Sequence, residues 1–362
     1  MPSPVYRLLD ANFNRASEGL RVAEDTARFV LDDAGLSASL KAMRHDLARM
    51  ASEIGAPLLS GRDSPGDVGR ESGVRVGSGQ RELLDLVRAN LKRAQESLRV
   101  IEEYAQTPEV ADSLDAGAAE SLRYRAYDCE REIVARLSRR LQAAKVRGLY
   151  VIVDLKVVGS RSPIEVAGQA ARGGAAVIQL RDKTSPRAHV LGVAREMMNI
   201  CDEHGVLFVV NDYVDIAAAI GAPAVHVGQS DIPIDAARRL LPLGSIVGVS
   251  CHSMEDVLRA RASGADYVAV GSVFPTVQKE NPIVVGTGLV FWAREQIPGV
   301  PLVAIGGIDA TNVADVVSAG ADAVALIGAV VGKTDVLGAT KDMVARVSRA
   351  SKEREKDVHE SA

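Results

Sequence analysis

The chain has 362 residues, 47% of them apolar, and a formal net charge of −4, enough for about two domains with sizeable cores. That charge gives no reason to expect a nucleic-acid partner, and no stretch is long and apolar enough to span a bilayer. Cys129, Cys201 and Cys251 are widely spaced with no CxxC pair, which argues against disulfides and structural zinc. MPSPVYRLLD lacks the basic opening and apolar run of a secretory signal, so the expectation is a cytoplasmic protein.

Residues 1–145 read as an all-helical domain with an internal repeat. ANFNRASEGLRVAED (11–25) aligns with ANLKRAQESLRVIEE (89–103) at a constant offset of 78. A second helix is expected after each copy, over 37–54 and 117–141, giving a bundle of four main helices with pseudo-twofold symmetry. Asn12, Arg15 and Glu18, and again Asn90, Arg93 and Glu96, are spaced by three, so each set shares a helical face. Such a stripe is either a solvated face or one wall of a polar site, and its recurrence keeps both readings open. Arg21 and Arg99 continue it.

Between the copies, SGRDSPGDVGRESGVRVGSGQ (60–80) reads as a flexible linker. Alternatively, RDSPGDVG (62–69) wraps a phosphate with backbone N–H groups and Arg62. No GxxxxGK[ST] element is present, which argues against a P-loop kinase.

From residue 148 the pattern alternates strand and helix eight times. The expected strands are 148–155, 176–182, 207–212, 224–229, 246–251, 266–274, 301–308 and 323–329. Most are nearly continuous apolar runs, as for strands covered on both faces. Eight βα units in about 200 residues predict an α/β fold closed into a (β/α)8 TIM barrel over 146–347. An open doubly wound sheet is the second choice, but no GxGxxG follows the first strand.

In such a barrel chemistry belongs at the carboxyl ends of the strands. Strand 2 ends in Gln179, Arg181 and Lys183, strand 3 in Asn211 and Asp212, and strand 4 in His226, Gln229 and Asp231. Ser250 and His252 end strand 5, and Thr276, Gln278 and Lys279 follow strand 6. Strands 7 and 8 end in Gly306–Gly307 and Ile327–Gly328. Asp212 and Asp231 are placed to hold one Mg2+, which takes a couple of carboxylates plus water and phosphate oxygens. Arg181, Lys183 and Lys279 bring positive charge for a diphosphate, and the glycines suit a phosphomonoester held by backbone N–H groups. Each residue alone has a plainer reading: the acids as helix caps, the glycines as turns, the lysines as solvated loop residues. His226, His252 and Cys251 read as structural. Complementary chemistry on six successive strand ends favours a site.

QLRDK, VND, HVGQSD, GVSCH, GSVFPT…K and IGGI, in that order, resemble the thiamine-phosphate synthase family across the whole second half. The resemblance implies joining of hydroxymethylpyrimidine diphosphate to a thiazole phosphate with loss of pyrophosphate. Carried over, Gln179, Arg181, Lys183 and Asn211 contact the pyrimidine diphosphate, and Asp212 and Asp231 hold Mg2+. Ser250 lies near the pyrimidine, Thr276 and Lys279 grip phosphates, and Gly307 with the Ile327–Gly328 backbone holds the thiazole phosphate. Arg181, Lys183, Ser250 and Lys279 are the catalytic set. The family's PTxTK is PTVQK here, so Gln278 replaces a hydroxyl with an amide, and Gly328 stands where serine is usual. The first half is similar to a helical domain fused to some of these synthases and associated with hydroxymethylpyrimidine phosphate kinase activity.

The competing readings are a thiazole-phosphate-binding regulator without turnover, a bifunctional enzyme whose helical domain is that kinase, and a barrel isomerase using Asp154 as base. Small-molecule substrates are expected; a homo-oligomer is left open. GKTD (332–335) looks like a P-loop only superficially, residues 280–288 are a candidate cover over the diphosphate, and 348–362 read as a charged flexible tail.

Overall fold

The computed structural model describes residues 3–62, 82–278 and 283–360. The chain divides into two compact units, Met1–Leu137 and Ser138–Ala362.

The first unit holds α1 (Pro4–Asp25), a π-helical turn (Thr26–Val30), α2 (Ala34–Ile54), the short α3 (Ala56–Gly61), α4 (Leu83–Tyr104) and α5 (Ala116–Ala143), whose last turns pass into the second unit. Ser3 caps α1 by accepting from the Val5 N–H at 3.3 Å, with Pro4 at the first helical position. Asp33 caps α2 through the Leu36 N–H at 3.0 Å. Leu9, Phe13, Ala16, Leu20 and Ala23 form the buried stripe of α1. The same stripe recurs on α4 as Val87, Leu91, Ala94, Leu98 and Ile101, 78 residues on. On the second helices the offset is 79: Leu40, Met43, Leu47, Met50 and Ile54 recur as Ala119, Leu122, Ala126, Cys129 and Ile133. The extra residue falls between the helices, where it leaves both stripes in phase.

The repeat also places buried charge. Glu24 and Glu102 are equivalent, and each meets an arginine from the second helix of its own copy. Arg44 Nε lies 2.6 Å from Glu24, and Arg123 Nε lies 2.8 Å from Glu102. Arg125 and Asp46, equivalent at the same offset, pair with each other at 2.8 Å. The stripe of Asn12, Arg15 and Glu18 divides: Asn12 is buried, and Arg15 and Glu18 face solvent. Asn12 and Asn90 donate back to Leu8 and Leu86 carbonyls of their own helices at 2.9 and 2.8 Å, while Arg15, Glu18, Arg93 and Glu96 are exposed. Arg62, a candidate phosphate ligand, instead forks onto Asp10 at 2.7 and 2.8 Å. The rest of 62–69 lies outside the described residues.

In the second unit, eight parallel strands close in sequence order, with β8 pairing β1. They are β1 (Gly148–Asp154), β2 (Val177–Arg181), β3 (Leu207–Asn211), β4 (Ala224–Val227), β5 (Ile246–Cys251), β6 (Tyr267–Val270), β7 (Leu302–Ile305) and β8 (Ala323–Leu326). Closure excludes the open sheet. Val151, Val153, Ile178, Leu180, Phe208 and Val210 face the outer helices, and Tyr150, Ile152, Val177, Leu207 and Val209 fill the interior. This alternation turns Gln179, Arg181, Asn211, His226 and Ser250 inward. Gly248, in register with Tyr267, makes room for it: a Cβ there would lie 2.0 Å from the tyrosine ring.

Several strands stop earlier than expected, so that their polar ends become the rim loops. β7 ends because Gly306 and Gly307 take φ of 101° and 64°, where a strand cannot continue. Residues 283–286 of the expected cover are knitted to the loop after β6: Ser272 N–H donates to Ile283 O, and Val285 N–H donates to Ser272 O. The charged tail is helical as far as residue 360. The last helix runs Val336–Glu360, anchored by Arg354, which donates to the Val317 and Ala321 carbonyls at 3.1 and 2.8 Å.

Candidate active site

The barrel opens at its carboxyl rim into a cavity of about 1630 Å3. Gln179, Arg181, Lys183, Asn211, Asp212 and Asp231 line one part of it. Ser250, Thr276, Gln278, Gly306, Gly307, Ile327 and Gly328 line the rest. These are the residues singled out from the sequence; Lys279 lies outside the described residues.

Asp212 directly follows β3 with φ of 61°, a left-handed conformation that short polar side chains tolerate best. Its N–H donates to the His226 carbonyl at 2.8 Å, tying the turn to β4. Asp231 is set by the Gly228 N–H, which donates to its Oδ2 at 2.7 Å. The two carboxylates lie close enough for the charge of Asp231 to act on Asp212, and Lys183 Nζ stands 3.3 Å from Asp212. Burial and then the Asp231 charge raise the Asp212 carboxyl above its ordinary range, against the pull of Lys183. Two acids held side by side in a partly buried place are a pair that a cation would relieve. Among the described residues no cluster of three or more His, Cys, Asp or Glu side chains offers a metal a fuller protein shell. A divalent ion on this pair would complete its coordination with water and ligand oxygens.

Arg181 is bonded to Asp154, its partner across the β1–β2 register. Asp154 also accepts from the Lys156 N–H at 2.9 Å. The candidate isomerase base is thereby spent on orienting a cation. Cys251 is no nucleophile, since burial pushes its thiol up to about 12.

On the opposite rim, Gly306 and Gly307 bring the loop after β7 against the loop after β6. A Cβ on Gly307 would lie 2.3 Å from the Pro275 carbonyl. Gln278 is held by its N–H donating to Thr276 Oγ1 at 3.2 Å, and its amide Nε2 lies 3.4 Å from where a Cβ of Gly328 would stand. The two departures from the family pattern are therefore in contact: the longer amide lies over the position that lacks a side chain. Lys333 of the GKTD stretch also lines the cavity. Arg161 fixes its turn by donating to the carbonyls of Val331 and Lys333.

Sequence reasoning missed the polar interior beneath this rim. Tyr150 donates to Gln179 Oε1 at 2.5 Å and contacts the Tyr267 hydroxyl at 3.1 Å. Tyr267 lies 3.0 Å from His226 Nδ1, and His226 Nε2 lies 2.8 Å from Ser250 Oγ. Gln179 Nε2 donates to Asn211 Oδ1 at 2.9 Å. Burial lowers the imidazole of His226 to about 4 despite the nearby Asp231, so it is neutral. Tyr150 and Tyr267 sit in apolar strand runs and pass for core; the available signal was glycine 248 facing a bulky inward residue.

Residues 149–330 match the family described as Thiamine monophosphate synthase, and residues 7–132 match the ThiD2 family. A protein named Thiamine-phosphate synthase from Thermosynechococcus vestitus is 39% identical over 95% of this chain and 95% of its own length. Its namesake from Rhodopirellula baltica is 38% identical over 90% and 88%. The structure of thiamine phosphate pyrophosphorylase from Pyrococcus furiosus is 36% identical, covers 58% of this chain and 98% of its own, and superposes with a TM-score of 0.53. Relatives matched nearly end to end leave one conclusion: the chain belongs to the thiamine monophosphate synthase family.

Proposed function

We propose that this chain is a thiamine-phosphate synthase. It joins hydroxymethylpyrimidine diphosphate to a thiazole phosphate and releases pyrophosphate; with the 2-carboxylate of that thiazole, carbon dioxide leaves as well. The observation that carries this reading is the Asp212–Asp231 pair beside Lys183, in one cavity with the glycine cradle after β7 and β8. One half suits a diphosphate with its cation, the other a phosphomonoester.

In this reading the bond from the pyrimidine methylene carbon to the diphosphate oxygen breaks first. The electron pair leaves with the diphosphate, and the ring's amino group stabilises the remaining cation. The thiazole nitrogen then donates its lone pair to that carbon. Asp212 and Asp231 would hold Mg2+, which when bound neutralises charge gathering on the departing oxygens. Lys183 and Arg181 hold the diphosphate, Asn211 and Ser250 orient the pyrimidine, and Gly307, Ile327 and Gly328 fix the thiazole phosphate. No step needs a strong base, in keeping with Cys251 and His226 being held neutral. Steady-state pyrophosphate release with both substrates tests the proposal; binding of thiazole phosphate without release would favour the regulator reading. The bifunctional alternative for the helical unit is tested by ATP consumption with the pyrimidine monophosphate. No helix among the described residues is long and apolar enough to cross a membrane, and a cytoplasmic site of action fits these small charged substrates.

A further inference from the structure

We propose that six side chains, one from each of β1 to β6, form a one-way hydrogen-bond chain. Its direction makes Ser250 an acceptor, and Asn211 a donor, toward whatever ring lies in the cavity. The ligand chemistry rests on the synthase reading; the direction of the chain does not.

The chain runs Asn211, Gln179, Tyr150, Tyr267, His226, Ser250, crossing the barrel between the two tyrosines. Asn211 and Ser250 end the chain at the cavity wall, which Tyr150, Gln179 and His226 also line, and Tyr267 is buried beneath them. A phenol has one proton to give. Tyr150 gives its proton to Gln179 Oε1, so in the 3.1 Å contact with Tyr267 it accepts and Tyr267 donates. The Tyr267 proton is then spent, so its 3.0 Å contact with His226 Nδ1 needs a hydrogen on that nitrogen. The ring of His226 is buried with hydroxyls, not a carboxylate, at both nitrogens, where an imidazolium would be costly; the neutral ring carries one N–H, which leaves Nε2 bare. The 2.8 Å contact at Nε2 is therefore donated by the Ser250 hydroxyl. Ser250 has given its proton inward and offers only lone pairs to the cavity.

At the other end, Gln179 receives through its carbonyl and donates through its amide to Asn211 Oδ1 at 2.9 Å. The acceptor of Asn211 is engaged, and its NH2 remains for a ligand. A mixed arrangement would set two protons, or two lone pairs, face to face in a buried place, which is costly. The chain therefore points one way throughout. Tyr150, Tyr267 and His226 are positioning residues: their polar atoms are engaged within the chain, and through it they set the state of Asn211 and Ser250.

A ring edge that suits this pair has an N–H donor for Ser250 and an acceptor for Asn211. A 4-aminopyrimidine has that edge: an exocyclic amine beside a bare ring nitrogen. Its 4-oxo analogue has the reverse, a carbonyl beside a ring N–H, and is rejected.

Two measurements on the full chain test this. The first is 15N NMR of histidine-labelled protein, with the His226 signals assigned by their loss in His226→Asn. A protonated Nδ1 and a bare Nε2 are expected. The opposite tautomer overturns the proposal, and this readout does not depend on turnover. The second compares pyrophosphate release from the amino and oxo diphosphates. Tyr267→Phe should cut the wild-type preference for the amino substrate by about tenfold, the worth of one directional hydrogen bond. An unchanged preference, including equal loss of both rates, overturns it. If Tyr267→Phe fails to fold, Tyr150→Phe breaks the same chain one link away and is read in the same way. Absence of release from the wild type would sink the synthase reading, while the tautomer would still decide the direction.

Discussion

Buried charge is handled in opposite ways by the helical unit and by the rim of the barrel. In the helices each buried acid has its own arginine: Glu24 has Arg44, Glu102 has Arg123, Asp10 has Arg62. Burial works against the charge of Glu24, yet the bond and charge of Arg44 prevail and hold its carboxyl below the usual range. At the rim, Asp212 faces a second acid and is pushed the other way. Settled charge marks a part that holds shape; unsettled charge marks a part that waits for a ligand.

That contrast makes mutations of one chemical type differ in sign. Asp212→Asn, a residue that tolerates the same left-handed backbone, should cut turnover by at least about a hundredfold and remove its Mg2+ dependence. The same change relieves repulsion, so without metal the melting temperature should rise. Steady-state rates with a Mg2+ titration, together with a thermal melt, check both, and a variant with the full Mg2+-dependent rate would refute the assignment. Glu102→Gln should do the reverse. Turnover at the barrel stays, while the buried Arg123, left with only Tyr127 and the more distant Glu120, costs about 3 kcal/mol in a denaturant titration.

His226 gives a pH test of intermediate size. An unfolded histidine takes its proton near pH 6.5, the folded one near 4, so acid favours the unfolded chain. Stability should hold above about pH 6.5 and decline toward pH 4 by about 3 kcal/mol. His226→Asn should flatten that slope in urea titrations across the range. The smallest effect concerns Gln278 and Gly328. Gly328→Ser should raise KM for the thiazole phosphate in the parent, but less in a Gln278→Thr background, with a coupling on the order of 1 kcal/mol. Additive effects would mean that the two positions act separately.

Much of the barrel was legible because its signals are local. Nearly continuous apolar runs marked the eight units, and their polar ends named Gln179 and Arg181. The acids after β3 and β4 were identified by position alone, and the structure brings them together. What stayed hidden depends on partners distant in the chain. Arg181 reads as a free cation until Asp154 is seen across the register. In the helical repeat, a spacing of three showed that Asn12, Arg15 and Glu18 share a face but not which way it looks. The buried acids that recur are Glu24 and Glu102, and their arginines recur at an offset one residue longer, which a single constant offset conceals.

The glycine opposite Tyr267 bears on how this interior arose. With any side chain at 248 the tyrosine has no space, whereas a glycine there with a smaller neighbour leaves only a gap. The route that keeps every ancestor folded is then glycine before tyrosine, and once the tyrosine is present the glycine cannot revert alone. A contingency of this kind is testable by building the two intermediates and asking which of them survives as a protein.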